Sequence, residues 1–176
     1  ESCTIALTAA AVMLLIGHQD IEEVITGVEW TTILFFTGLF VVVGGLQETG
    51  IIQVLANGLM DLTKGHMTMT ILLILWVSAI VSSFLDNIPF VATLIPLILT
   101  MQSSGVDVTP LWWAVSLGAC LGGNGTLIGA SANVVLSGIS TRHGFPITFA
   151  SYLKVGFPMM LVSVAISTVF LLIRFG

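Results

Sequence analysis

Apolar residues in this chain come in runs, and the polar interruptions between the runs are of two kinds: ordinary loops, and short polar breaks inside apolar stretches. Residues 4–16 form a first run, short for a membrane crossing. Residues 18–29 are polar and acidic and read as an interfacial connector. Trp30 marks a membrane boundary, because Trp prefers the headgroup level. Residues 31–46 then make a full crossing, closed by Gly44 and Gly45. From 51 to 62 the pattern changes. Ile51, Ile52, Leu55, Leu59 and Leu62 recur at helical spacing, while Gln53, Asn57 and Asp61 repeat every four residues on another face. This predicts an amphipathic helix lying in the interface, or else the end of a long core helix. Lys64, Gly65 and His66 end it.

The first break lies between apolar runs 67–81 and 90–101, at Ser82-Ser83-Phe84-Leu85-Asp86-Asn87-Ile88-Pro89. Pro89 lacks a backbone donor and disfavours helix in the residue before it, so the helix is expected to break at Asn87. At about 1.5 Å per residue each half reaches only about 20 Å, against a hydrocarbon core of about 30 Å. Two such halves predict a re-entrant helical hairpin over 67–101. Asp86 is the only ionisable residue between His66 and Asp107. A carboxylate at membrane depth has to face protein, water or an ion.

After the polar turn 102–109, Thr109 and Pro110 read as N-cap and first helical residue, and Trp112-Trp113 marks the interface again. Residues 111–121 are apolar, Gly122-Gly123-Asn124-Gly125-Thr126 interrupts them, and 127–139 resumes, carrying Ser131 and Asn133. This predicts a discontinuous transmembrane helix over 110–141. Residues 145–154 are a short lead-in, and 155–174 a final span with Pro158 near its start. Arg142 and Lys154 fall on one side, Lys64 and Arg174 on the other, so charge does not set the orientation.

Composition agrees. The chain is 56% hydrophobic and 7% charged, against about 25% charged in soluble domains. Its four Lys and Arg residues exclude the basic footprint of a nucleic-acid binder. The fold class is all-α integral membrane, multi-pass, with the plasma (inner) membrane as expected location. No Met opens the chain and no basic stretch precedes the first run, so it reads as a poor signal peptide and as part of a longer protein.

Irregular backbone survives in a bilayer only where protein buries it or a cavity needs it, and transporters use such breaks to hold ions. The two breaks supply Ser82, Ser83, Asp86, Asn87, Asn124, Thr126, Ser131 and Asn133, hard oxygen donors suited to Na⁺ or a proton relay. Each has a structural alternative. Asp86 can cap the second hairpin helix, alone or in addition. Ser82 and Ser83 can bond back to helix carbonyls, and Gly122, Gly123 and Gly125 can serve close helix packing. Cys120 is a soft-metal ligand or a small packing residue. His18, His66 and His143 sit in predicted loops away from both breaks, and neither a phosphate-binding loop nor a hydrolase motif is complete, so no enzyme is expected.

The segments SSFLDNIPFVATLIP (82–96) and LGACLGGNGTLIGASANVV (117–135), with VEWTTILFFTGLF (28–40), resemble the arsenite-permease and P-protein branch of the ion transporter superfamily, the citrate-transporter-like permeases. The resemblance covers nearly the whole chain and matches the C-terminal one of two inverted repeats. It implies an elevator-type carrier: a scaffold with an interfacial arm over 1–63, and a transport part over 64–176. It further implies that Ser82, Leu85 and Asn87 at the tip face the unwound Gly123, Asn124, Gly125 and Thr126. Na⁺ is then placed at Ser82, Leu85, Asn87 and Asn124. Related dicarboxylate carriers have Ser-Asn-Thr where this chain has Asp86-Asn87-Ile88, a departure that favours a cation or proton-coupled cycle over a dicarboxylate. The expectation is coupled transport of a small inorganic ion or solute, either arsenite or antimonite efflux or Na⁺/H⁺ exchange. The N-terminal half of the same transporter, a second copy in a homodimer and the lipid bilayer are the expected partners. The alternative is a channel or structural membrane subunit.

Overall fold

Within a bilayer the backbone of an apolar run finds hydrogen-bond partners only inside its own segment, which makes helix the outcome for each of these runs. The computed structural model describes residues 2–17, 20–28, 30–63 and 65–176, which form helices joined by turns and loops with no strand. His18, Glu29 and Lys64, used above for the connector and for the charge balance, lie outside the described residues. The chain forms two compact units, Glu1–Gly38 and Leu39–Gly176.

In the first unit, α1 (Ser2–Gly17) is apolar and largely exposed. The short α2 (Ile21–Thr26) is capped by Asp20, whose carboxylate accepts from the Glu22 N–H at 2.9 Å. The Trp30 indole N–H donates to the Ile25 carbonyl at 3.2 Å, at the start of α3 (Trp30–Glu48), which continues into the second unit.

The second unit carries the core. Following α3, α4 (Ile51–Leu62) sets off after a bend of 70°, with Gly50 in the left-handed region at φ 75°. It is therefore a separate helix and not the continuation of a core helix. Its apolar face divides: Ile52 and Ala56 are buried where α4 packs on α6 (Asn87–Ser103), while Ile51, Leu55 and Leu62 stay exposed. The other members are α5 (Met67–Ser82), α7 (Thr109–Gly122), α8 (Ser131–Arg142) and α9 (Phe149–Phe175). Ile71, Leu75 and Ala79 of α5, Ile98 and Met101 of α6, Leu111 and Val115 of α7, and Met160, Val164 and Leu171 of α9 form one buried cluster.

The tightest contact is α5 against α7. Buried positions on α5 run Ile71, Leu75, Ala79 and Ser82, and on α7 Leu111, Ala114, Gly118 and Gly122, each a stripe of one helical face. A Cβ on Gly118 would lie 2.5 Å from the Leu75 carbonyl oxygen, and one on Gly122 would collide with the Ala79 carbonyl. These glycines let two backbones touch, the small-residue packing used where hydrocarbon solvent gives helices no hydrophobic reason to associate.

Four boundaries differ from the sequence expectation. Helix α6 begins at Asn87 itself, because Asp86 caps it, so the first break is confined to 83–86. Thr109 is the first helical residue and does not cap α7. Its N–H is taken by the Asp107 carboxylate at 3.0 Å, and the backbone and side chain of Thr109 hold that exposed carboxyl below the usual carboxylate range. The second break is longer than Gly122–Thr126 implied: helix resumes at Ser131, not at Leu127. Finally the lead-in belongs to the last span. A capping box of Thr148 and Ser151 starts α9 at Phe149, and it runs 27 residues through Pro158.

Helix α9 is long and apolar enough to cross a membrane, and α3 with α4 passes the same criterion only as a bent pair. Its outward residues Val155, Val162, Ile166, Val169 and Ile173 are all at least half exposed, an apolar face suited to lipid. At 16 and 17 residues, α5 and α6 reach about 24–26 Å at about 1.5 Å per residue, short of the hydrocarbon core of about 30 Å.

The crossing of α5 and α7 makes a prediction. Gly122→Ala forces the backbones apart and should destabilise the protein by about 1–3 kcal/mol, as overpacking does. Gly138→Ala in the interior of α8, where a Cβ meets nothing within 4 Å, should instead stabilise by about 0.5–1 kcal/mol. Thermal unfolding of both variants in micelles reads the difference.

Candidate functional site

The end of α5 is held by its own carbonyls and by α7. The Ser82 hydroxyl donates across to the Ala119 carbonyl at 2.8 Å, and the Ser83 hydroxyl donates back to Ile80 at 2.6 Å. Ser83 thus behaves as the back-bonding reading has it, while Ser82 ties two helices together. Phe84 and Leu85 both return their N–H groups to the Val81 carbonyl, and their side chains are exposed. Asp86 then does two things. One carboxylate oxygen accepts the Ile88 N–H at 3.1 Å, starting α6, and the other accepts the Ser131 hydroxyl at 3.0 Å, at the first residue of α8. Both partners are neutral donors, so nothing in this geometry cancels its charge.

The second break is built against the first. Thr126 is fully buried and its hydroxyl donates to the Ser83 carbonyl. Asn133, in the first turn of α8, donates from its side-chain amide to the Gly123 carbonyl at 3.0 Å and the Thr126 carbonyl at 3.2 Å. It thereby satisfies carbonyls that the unwinding of 123–130 removes from the helical ladder. The fit needs glycine. A Cβ on Gly125 would lie 2.8 Å from Ser83 Cβ, and one on Gly129 would lie 2.8 Å from both the Ser83 and Gly123 carbonyl oxygens. From α9, Gly156 comes close to the Asn124 carbonyl, where a Cβ would stand at 2.7 Å.

The structure thus makes two sets of hydrogen bonds that meet at the start of α8: Ser83, Thr126, Asn133 and the Gly123 carbonyl join α5 and the unwound segment to it, and Asp86 with Ser131 joins α6 to it. The four residues expected around Na⁺ have separate surroundings. Ser82 is buried and engaged with Ala119, Leu85 is exposed, and Asn124 is exposed, its amide without a hydrogen-bond partner among the described residues. The Asn87 amide, likewise unpaired, lines a cavity of about 510 Å³ between α6 and α7. That cavity also takes in Trp112, Ser116 and Cys120. Cys120 is a free, exposed thiol on the cavity wall, not a packed core residue. Among the described residues no group of three His, Cys, Asp or Glu side chains is gathered anywhere.

Sequence reasoning missed three participants. The Ala119 carbonyl carries no side-chain signal. Gly129 was readable only as part of an apolar run, although a glycine two residues before Ser131 is a signal for close backbone approach. Gly156 lay in what looked like an ordinary span.

Comparison with known proteins adds an independent finding. The family profile described as citrate transporter matches residues 2–118. An uncharacterized transporter of Mycobacterium tuberculosis is 43% identical over 175 residues, covering 97% of this chain and 41% of that protein. The 46 kDa membrane protein of Mycobacterium leprae is 38% identical over 174 residues, with the same 97% and 41% coverage. The P protein of Homo sapiens is 42% identical over 175 residues, covering 95% of this chain and 21% of that protein. The chain therefore spans about two fifths of the mycobacterial relatives and about one fifth of the P protein. No solved structure matches.

The bond between the breaks is testable by stability. Thr126→Val keeps the shape but leaves the buried Ser83 carbonyl without its hydroxyl donor, a loss of about 1–3 kcal/mol. Thr126→Ser should recover most of it. Ser131→Ala, at an exposed position, should lose less than about 1 kcal/mol on the same unfolding assay.

Proposed function

Because this chain belongs to the citrate transporter family, we propose that the protein containing it is a secondary active membrane transporter whose coupling site lies where the two helix breaks meet. The observation that carries the reading is the pairing of the breaks: Thr126 on the Ser83 carbonyl and Ser131 on the Asp86 carboxylate. Two interruptions that each sacrifice helical hydrogen bonds in an apolar setting are tied to one another, as expected if together they bind something.

Asp86 decides the kind of cargo. Its carboxylate faces neutral donors, so it repels an anion brought alongside and attracts a cation or a proton. A multiply charged carboxylate is a poor match to that tip. A small inorganic solute is a better one: Na⁺ exchanged for H⁺, or a neutral arsenite or antimonite hydroxide moved outward with proton coupling. In this reading α5 and α6 form a re-entrant hairpin, residues 64–176 are the travelling part of an elevator, and residues 1–63 supply scaffold and arm. Asn87 and Asn124, whose amides are unpaired, are the side chains free to turn toward a bound ion, with Ser82 and Leu85 framing the tip. The rest of the parent protein completes the cavity, and two copies pair through the scaffold in the plasma (inner) membrane. The length of the relatives, more than twice this chain, accommodates that second half.

Transport by the complete parent protein in inverted vesicles tests the proposal. Na⁺ added to acid-loaded vesicles should dissipate the pH gradient with saturation, and Asp86→Asn should reduce the rate at least tenfold. Radiolabelled arsenite uptake without a Na⁺ response would assign the metalloid branch. Conductance that never saturates, or an Asp86→Asn variant with unchanged transport and pH dependence, would overturn the coupled-carrier reading.

A further inference from the structure

Helix α7 has two faces. Leu111, Ala114, Gly118 and Gly122 form the buried stripe toward α5, while Trp112, Ser116 and Cys120, spaced by four, line the cavity of about 510 Å³ shared with α6. Asn124 takes the next place in that register, just past the end of the helix. Across the cavity α6 contributes Asn87 from its first turn and then apolar side chains, Ile88, Val91 and Ile95. The short turn 104–108 makes α6 and α7 run in opposite directions. Asn87 and Cys120 therefore stand at the end of the cavity beside the breaks. Ile95 and Trp112 stand at the other, toward the boundary that Trp112 and Trp113 mark.

Thr37, Thr93, Ser163, Ser167 and Thr168 each return a hydroxyl to a carbonyl of their own helix. In hydrocarbon, or against an apolar neighbour, that bond spares a hydroxyl the cost of going unpaired. Ser116 is exposed to the cavity and makes no such bond. The Asn87 amide and the Trp112 indole N–H are also without a hydrogen-bond partner among the described residues. Lipid would leave all three groups unpaired, whereas water satisfies them. A water needs about 2–4 polar partners, and at about 30 Å³ per molecule the cavity has room for several. We propose that in the complete protein this cavity is a water-filled passage by which a small hydrophilic solute travels between the Trp112 level and the two helix breaks. Its hydration follows from the wall alone, and its use by the cargo rests on the transport reading. Asp86, one residue from Asn87, makes the inner end negative, so the passage favours cations over anions.

Cys120 serves as a reporter, being a free, exposed thiol at the inner end. Its thiolate displaces methanesulfinate from a methanethiosulfonate to leave a mixed disulfide, and a thiolate forms only where water reaches the sulfur. The complete protein in lipid nanodiscs is treated with the anionic sulfonatoethyl or the cationic trimethylammonioethyl reagent, and the Cys120 adduct is followed by mass spectrometry. Cys120, and Cys in a Ser116→Cys variant, should react roughly tenfold or more faster than Cys in an Ile166→Cys variant, whose side chain faces lipid on α9. Relative to a small thiol in solution, the cationic reagent should be favoured about threefold, and Asp86→Asn should remove that preference. In vesicles, modification should slow transport, and Cys120→Ser should make transport insensitive to the reagent. Cys120 reacting no faster than the Ile166→Cys variant, or only after unfolding, would overturn the water-filled cavity. Fast modification that leaves transport unchanged would overturn the passage while the transport reading stands. Unmodified protein that moves no solute would sink the transport reading and the passage with it, and a reactive Cys120 would still establish the hydrated cavity.

Discussion

Everything at the candidate site depends on how closely α5 and α7 approach. The Leu75 and Ala79 backbones and the Ser78 Cβ press against Gly118 and Gly122, and no larger residue on α7 permits that distance. The approach delivers the C-terminal end of α5 to the first residues beyond α7, where the Ser83 carbonyl finds the Thr126 hydroxyl and Ser82 finds the Ala119 carbonyl. Widen the crossing and both bonds are lost together, leaving buried polar groups with no alternative partner in hydrocarbon. Packing and polar chemistry are thus one constraint: the glycines set the distance and the hydroxyls make use of it.

Such coupling also explains why one carboxylate can be kept here. Asp86 caps α6 and at the same time accepts from the start of α8, so its two oxygens connect the two broken elements. In the proposed cycle, a proton or cation reaching Asp86 would act on the hydrogen bonds of both elements at once. Among the described residues the Asn87 and Asn124 side-chain amides make no hydrogen bond, and in the reading proposed above they are the groups that turn toward a bound ion.

Much of this was legible in the chain, for identifiable reasons. The first break announces itself through Asp86 and Pro89, local signals that act on the residues beside them. The amphipathic α4 is visible because its polar stripe repeats with the helix, and its bounds fall where the pattern ends. The extent of the second break is not local. Leu127 to Ala130 are as apolar as a helix requires, and they stay unwound because Thr126 is bound by Ser83 and the loop carbonyls by Asn133. Such partners are decided by folding and not by spacing. The start of α9 lies between these cases: Thr148 and Ser151 form a readable capping box, and the Gly156 and Pro158 that follow distracted from it.

Gly50 sets a mechanical condition on the whole. It holds the only residue between α3 and α4 with a left-handed backbone, at a corner of 70°, and a side chain there would find open space on every side. Neither interdigitated side chains nor a side-chain cap locks that corner. The corner is held by the backbone alone: the Gly50 N–H donates to the Gln47 carbonyl at 3.0 Å and its carbonyl accepts the Val54 N–H at 3.1 Å, while α4 beyond it packs on α6. The direction in which α4 leaves α3 is therefore a demand on the backbone freedom of glycine and not on its small size, since any other residue there would fit the space but strain the left-handed turn.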